Sequence, residues 1–148
     1  MEIYHLKKLS ACTILLLGIS QISFAACDQT LSPGSNVATA VSNAPSGSII
    51  CLNNGNYGTL NFTNIERNDF VTLRSVSGVG ASMSIGEVYG SSYIKFDSLT
   101  FGSVSVRECS TDIQFLNSTW TPGGGGMVFN YTTSCPQSDM RLVVDGAT

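Results

Sequence analysis

Two interleaved series of short, alternating segments run along the chain. Each copy of the first series starts with an apolar, a variable and an apolar residue and ends near a turn-prone residue. These copies begin at positions 50, 71, 94, 113 and 142. In the second series the copies begin at positions 60, 83, 104 and 127, and the spacings in both series lie between 19 and 29 residues. Alternation with a period of two indicates strands with one buried face. Two series that share one period therefore predict two strands in each repeat.

The stacking of these repeats decides the fold class. A single copy cannot bury its apolar face, but copies stacked at the strand spacing of about 4.8 Å form a continuous core. The pattern therefore predicts an all-β chain, a parallel β-helix (solenoid) of about five coils over residues 48–148. An antiparallel β-sandwich is the alternative, although its strands would not be expected to keep two interleaved registers. The predicted interior positions are Ile50, Leu52, Leu60, Phe62, Val71, Leu73, Met83, Ile85, Ile94, Phe96, Val104, Val106, Ile113, Phe115, Met127, Phe129, Leu142 and Val144.

A helix is predicted ahead of the first coil, within an N-terminal segment of residues 26–47. Ser35 is the expected N-cap, and Pro45 stops the helix after Ala44. A β-helix must cover its open end, because a bare end strand is a template for aggregation, so we expect this helix to cap the first coil. At the other end the repeat pattern reaches Thr148 with no polar segment after it. We therefore expect further coils there, or a partner that covers the open end.

Residues 1–25 have the features of a secretory signal peptide. Lys7 and Lys8 form a positive start, an apolar stretch follows over residues 9–22, and the small residues Ser23 and Ala25 fit a cleavage site. We predict an exported protein, secreted or located in the periplasm or at the cell surface, with no membrane span after cleavage. A retained anchor is the alternative. The residues before Cys27 loosely resemble a lipoprotein box, which leaves lipidation of this cysteine open.

Four cysteines remain after cleavage, and an even number in an exported chain predicts two disulfides. Three pairings are conceivable, but the repeat favours Cys27–Cys51 and Cys109–Cys135, because partners 24 and 26 residues apart would stack on neighbouring coils. Free thiols or zinc ligands are weaker alternatives, since there is no Cys-x-x-Cys pair and the only histidine, His5, lies in the signal. Charged residues make up only 11% of the chain and the net charge is −3. This composition argues against a nucleic-acid partner, which requires basic patches.

The start of the coils resembles a known superfamily. A helix, a strand and then Leu52-Asn53-Asn54-Gly55-Asn56-Tyr57 is similar to the entry into many secreted right-handed parallel β-helix proteins of the pectate-lyase-like superfamily. The resemblance covers residues 27–148 and implies a right-handed coil. It is moderately specific for the fold but not for an activity, because the superfamily includes pectate and alginate lyases, polygalacturonases, pectin esterases, phage tailspikes and adhesins.

Outward positions of the first series carry the candidate chemistry. The lyases of this superfamily combine, on an outward sheet face, a basic residue that removes a proton beside a uronate carboxylate with acidic side chains that hold calcium. Arg74, Lys95 and Asp97 are expected to be neighbours on one face and resemble this arrangement by residue type. Arg74 and Lys95 are therefore the candidate catalytic residues, and Asp97 and Gln114 the candidate binding residues. No metal site is evident from the residues, and calcium is implied only by the resemblance; a surface charge ladder is the alternative reading of this group.

The resemblance implies an exported β-helix that binds an acidic extracellular polysaccharide, with lyase-type cleavage as a further expectation. The alternative is a non-catalytic adhesin-like or surface structural β-helix. Tyrosines near the corners, such as Tyr57, Tyr89 and Tyr93, could stack on sugar rings or simply cover the corners. Whether the protein is an enzyme stays open at this point.

Overall fold

Parallel strands and one short helix make up the part of the chain that the computed structural model describes, residues 26–107, 109–129 and 141–146. The elements in chain order are β1 (Gln29–Leu31), α1 (Val37–Asn43), β2 (Ile49–Leu52), β3 (Gly55–Thr63), β4 (Val71–Ser75), β5 (Ala81–Tyr89), β6 (Ser92–Asp97), β7 (Thr100–Val106), β8 (Thr111–Leu116), β9 (Thr119–Trp120), β10 (Gly126–Phe129) and β11 (Leu142–Asp145). The predicted signal peptide, residues 1–25, lies outside the described residues.

The strands form two parallel sheets that advance together along the chain. The six-stranded sheet has the order β1-β2-β4-β6-β8-β11, and the five-stranded sheet contains β3, β5, β7 and β10, with β9 also paired to β7. Successive pairs β2-β3, β4-β5, β6-β7 and β8 with β9 and β10 make four coils, and β11 begins a fifth. The prediction of an all-β parallel solenoid is therefore confirmed. The handedness of the coil and the end-capping role of α1 stay predictions.

The six-stranded sheet keeps one register from coil to coil. Leu73 pairs with Phe96, and Phe96 pairs with Phe115, so that equivalent residues of successive coils lie directly above one another. Because side chains alternate between the two sides of a strand, this register produces continuous inward and outward columns. The five-stranded sheet is less regular, since both β3–β5 and β5–β7 contain register shifts.

The inward columns form a single hydrophobic core with an aromatic centre. Phe96 lies 5.5 Å from Phe62, 5.8 Å from Phe101 and 4.9 Å from Phe115, measured between ring centroids, and all four rings are fully buried. Most predicted interior residues of the first four coils are buried as expected. The prediction is wrong for Val144, which is 45% exposed because β11 pairs only with β8 among the described strands. Leu60, Met127, Phe129 and Leu142 are only partly buried.

The N-terminal segment differs from the prediction in two respects. Residues 29–31 form β1, which pairs in parallel with β2 and was not predicted. The helix begins later than expected, and its N-cap is Asn36, not Ser35, because Asn36 Oδ1 accepts a hydrogen bond from the backbone N–H of Thr39 at 3.0 Å. At the other end of α1 the Arg67 guanidinium donates to the carbonyl oxygens of Val41 and Ser42, in the last turn, where few backbone donors are available.

Left-handed residues recur at equivalent positions of the coil corners. Asn64, Gly90 and Cys109 have φ angles of 53°, 55° and 58°, and a Cβ added to Gly90 would lie 2.8 Å from Asn64 Oδ1. Ser98 and Asn117 form a second series, with φ angles of 55° and 49°. Only some of these corner residues are glycine, because Asn and other short side chains tolerate this conformation when the coil fixes it.

One of the two predicted disulfides is confirmed. Cys27 and Cys51 are bonded, with their Cα atoms 5.7 Å apart, and the bridge fastens the start of the described chain to β2. Cys109 is also disulfide-bonded, and its predicted partner, Cys135, lies outside the described residues.

Candidate functional site

The outward side of β4, β6 and β8, which we call the outer face, carries all four candidate residues. Thr72 pairs with Lys95, and Lys95 pairs with Gln114, so these three side chains form one outward column. Arg74 and Asp97 pair in the adjacent column. All of them are partly exposed. The structure thus brings Arg74, Lys95, Asp97 and Gln114 onto one surface, as the alternation predicted, while their roles stay predictions.

Lys95 is held over an aromatic ring at the edge of the outer face. Its Nζ lies 4.7 Å from the centroid of the Phe70 ring. Tyr93 packs edge-to-face with Phe70, with the ring centroids 5.4 Å apart at an interplanar angle of 71°. The negative face of an aromatic ring attracts a cation, so the ring both positions the ammonium group and leaves it at the surface. Phe70, Tyr93 and Lys95 therefore make a cationic and aromatic patch.

Asp97 is fixed by neighbouring polar side chains. Its Oδ1 accepts hydrogen bonds from Asn117 Nδ2 at 2.9 Å and from Ser98 Oγ at 3.1 Å. Asn117 belongs to the next coil and adopts the left-handed conformation described above, which places its amide beside the carboxylate. Asp97 is thus an anchored acceptor on the outer face.

Arg74 points along the outer face towards the first coil. Its Nη2 lies 4.0 Å from Cys27 Sγ, and its backbone is the register partner of Cys51. A cleft of about 520 Å³, which we call the disulfide cleft, is lined here by Cys27, Cys51, Arg74, Ser75, Asp97 and Ser98 among others. Arg74 therefore belongs both to the outer face and to the lining of the disulfide cleft.

Four residues form a row at the edge of the outer face, and of these only Tyr93 was singled out from the sequence. Phe70 and Tyr93 immediately precede core residues of β4 and β6, and Asp112 and Arg141 occupy the equivalent positions in the next two coils. Asp112 is buried and forms an ion pair with the exposed Arg141 at 2.9 Å. The signal that could have identified this row is its constant position, directly before the first apolar residue of each copy.

Tyr57 is not available to a sugar, although the sequence placed it near a corner. It is buried, and its hydroxyl donates towards the carbonyl oxygens of Leu31 and Asn53, each 2.9 Å away. Burial raises the pKa of Tyr57 above its usual value of 10.0, because the charged phenolate would lose hydration. The residue therefore ties β1 to the first coil.

The outward side of the five-stranded sheet, which we call the second face, is chemically different. Its residues include Asn61, Ser84 and Ser105, and Arg107 pairs with Glu87 at 3.1 Å. This ion pair is largely exposed and so contributes little to stability. The second face offers a cation that is already paired, whereas the outer face carries Lys95 on an aromatic ring.

Residues 26–107, 109–129 and 141–146 contain no group of three or more His, Cys, Asp or Glu side chains arranged to hold a metal ion. Calcium therefore stays an implication of the resemblance, and we derive no metal-dependent step. Within the same ranges no helix is long and apolar enough to cross a membrane.

Comparison with known proteins found no matching family model, no matching curated protein and no matching solved structure. The function that we infer for the candidate site therefore depends on its geometry.

Proposed function

We propose that the protein binds an acidic, uronate-containing polysaccharide along the outer face. The observation that carries this proposal is the position of Lys95, whose ammonium group is held 4.7 Å above the Phe70 ring at the surface of the sheet. An acidic sugar presents a carboxylate and an apolar ring face side by side. A cation next to partly exposed aromatic side chains, here Phe70 and Tyr93, complements both features.

The remaining residues of the outer face complete a polar surface for such a ligand. Arg74 offers a planar guanidinium that can pair with a carboxylate through two hydrogen bonds. Thr72 and Gln114 lie in the same outward column as Lys95, and their hydroxyl and amide groups can exchange hydrogen bonds with sugar hydroxyls. Because these groups come from three successive coils, we propose that the polysaccharide runs across the strands, following the axis of the solenoid.

The rigidity of the face supports binding of an extended ligand. Its register is uninterrupted from β2 through β8, and the inward side of the same strands packs on the phenylalanine core. Side chains that are positioned before the ligand arrives lose less conformational entropy on binding. A polymer that contacts several coils gains several such contacts at once.

Cleavage is a separate part of the proposal, and it derives only from the resemblance. Arg74 and Lys95 are the candidates for removing a proton beside a uronate carboxylate. Binding without cleavage corresponds to the adhesin-like alternative. Both versions use the same face, so they share the binding experiment and differ in the assay of product.

Isothermal titration calorimetry with polygalacturonate and alginate tests the binding proposal. We expect binding to at least one polyuronate and none to neutral dextran. Lys95→Gln should weaken binding by at least about tenfold, because a hydrogen bond to a charged group contributes roughly 1.5–3 kcal/mol. The matched control is Arg107→Gln on the second face, which should bind as the unchanged protein does. Equal losses in the two variants, or no binding to any polyuronate, would contradict the proposal.

Absorbance of unsaturated products, measured with and without calcium, tests cleavage. Product that disappears in Arg74→Gln or Lys95→Gln variants that still bind would support the lyase version. Binding without product would support the adhesin-like version.

A further inference from the structure

The two sulfur atoms of the Cys27–Cys51 bridge differ in accessibility. Cys27 is exposed, whereas Cys51 is 0% exposed, although it alternates with the core residues Ile50 and Leu52 on β2. The bridge itself and the surrounding chain cover its outward side. A thiolate from solution can therefore approach only Cys27 Sγ.

The disulfide cleft leads to this exposed sulfur. Its volume of about 520 Å³ lies alongside Cys27 and Cys51 and is open to solvent, which is room for a small thiol. The polar and charged residues in its lining include Arg74, Ser75, Asp97 and Ser98. A small thiol that enters the cleft therefore meets polar side chains beside Cys27.

Arg74 places a positive charge beside Cys27 Sγ. Its Nη2 lies 4.0 Å from Cys27 Sγ, and its backbone lies next to Cys51 in the sheet. Thiol–disulfide exchange proceeds through attack by a thiolate, so negative charge enters the site and passes to the leaving sulfur. A neighbouring arginine stabilises thiolate charge. Asp97 lines the same cleft and opposes this effect, although its Oδ1 is engaged by Asn117 and Ser98.

We infer that Cys27–Cys51 is a site of thiol–disulfide exchange with small thiols of the glutathione class, assisted by Arg74. The thiolate attacks Cys27 Sγ and forms a new S–S bond to it, while the Cys27–Cys51 bond breaks and Cys51 leaves as a thiolate. A second thiol then attacks the mixed disulfide, releasing Cys27 as a thiolate and the thiol's own disulfide. In total one protein disulfide is reduced by two electrons and two thiols are oxidised.

Thiol–disulfide exchange at Cys27–Cys51 would release the N-terminal segment from its cross-link to β2. The bridge connects Cys27, two residues before β1, to β2, and β1 pairs with β2 over only three residues. Opening the bridge therefore removes the cross-link between the N-terminal segment and the first coil, while the pairing of β4, β6 and β8 remains. We expect faster hydrogen exchange at the β1–β2 amides after reduction, with no change at the β6–β8 amides.

The test follows the reaction of the oxidised protein with reduced glutathione. Free thiols are first blocked by alkylation, the reaction is stopped at intervals, and peptide masses identify the modified cysteine. We expect the mixed disulfide on Cys27 and not on Cys51. Arg74→Gln should slow its formation by at least about fivefold, as expected for the loss of one unit charge at 4 Å, and Asp97→Asn should accelerate it.

Two controls keep the result decisive. Arg107→Gln on the second face should react at the unchanged rate. Added salt should slow the reaction of the unchanged protein more than that of Arg74→Gln, because salt screens the charge; circular dichroism of the variant checks that it is folded. Equal rates in the unchanged protein and Arg74→Gln, modification at Cys51, or reaction only after denaturation would each overturn the inference.

Discussion

The two sheets of the solenoid are built from the same coils but differ in regularity. In the six-stranded sheet, strands β2, β4, β6 and β8 follow one another without a shift of register. In the five-stranded sheet, the register shifts between β3 and β5, and again between β5 and β7. Each shift changes which outward residues are neighbours, since alternation along a strand has a period of two.

This difference explains where continuous columns of side chains exist. On the inner side of the six-stranded sheet, Phe96 and Phe115 stack with their rings 4.9 Å apart and 14° from parallel. On its outer side, Thr72, Lys95 and Gln114 are aligned in the same way. Regular stacking thus produces both the aromatic core and a surface on which one ligand can contact several coils. Bulged strands do not align their outward residues in this way.

The largest expected effect comes from the aromatic column. Phe96→Ala should lower the free energy of unfolding by about 3–5 kcal/mol, because it removes a buried ring that contacts three others and leaves a cavity. Met83→Ala on the five-stranded sheet should cost less, about 2–3 kcal/mol, because Met83 fills a less regular region. Urea denaturation of both variants measures the difference. A smaller loss for Phe96→Ala than for Met83→Ala would contradict the contrast drawn between the sheets.

A smaller effect is expected at the corner that joins the five-stranded sheet to the next strand of the six-stranded sheet. Ser91 is fully buried, and its Oγ accepts a hydrogen bond from Ile65 N at 3.2 Å and lies 3.1 Å from Phe62 O. Ser91→Ala leaves a buried N–H without this partner and should cost about 1–3 kcal/mol. Ser84→Ala, at a partly exposed position on the second face, is the matched control and should change stability by less than about 0.5 kcal/mol. Equal effects in thermal denaturation would mean that the corner hydrogen bonds do not hold the sheets together.

The smallest effect at neutral pH, and one that grows in alkali, is expected at Tyr57. Burial raises the pKa of this hydroxyl in the folded protein, whereas the unfolded chain ionises near the usual value. The contribution of the neutral Tyr57 hydroxyl to the free energy of unfolding is therefore complete below about pH 10. It is lost as the pH rises through the pKa of Tyr57 in the folded protein. As the pH rises from about 9 to 11, the free energy of unfolding should fall less in Tyr57→Phe than in the unchanged protein. Parallel pH profiles of the two proteins would contradict the raised pKa of Tyr57 in the folded state.

The repeat pattern predicted the six-stranded sheet well because its strands have regular alternation. The first-series copies at 50, 71, 94, 113 and 142 all lie in strands of this sheet, and the pairing of Cys27 with Cys51 followed from the coil length. Strand β1 was missed because three residues are too few to show a period. Phe101 was missed as a core residue because β7 begins before the alternating segment that predicted it.

The candidate site was predicted only in part, for a related reason. Alternation places Arg74, Lys95, Asp97 and Gln114 on one face, because it states which side of a strand each residue occupies. It does not state which side chains touch across coils, so the Lys95–Phe70 contact and the Asp112–Arg141 ion pair could not be derived. For Tyr57 the sequence left two alternatives, stacking on a sugar or covering a corner, and burial of the side chain excludes only the first.

The most direct test of the account is a chemical-shift map of the protein during titration with an oligogalacturonate. We predict that the amide signals that move belong to the outer face, around Thr72, Lys95 and Gln114, and that those around Ser84 and Ser105 on the second face stay in place. Changes confined to the second face, or no changes at concentrations at which the polymer binds, would contradict the assignment of function to the regular sheet.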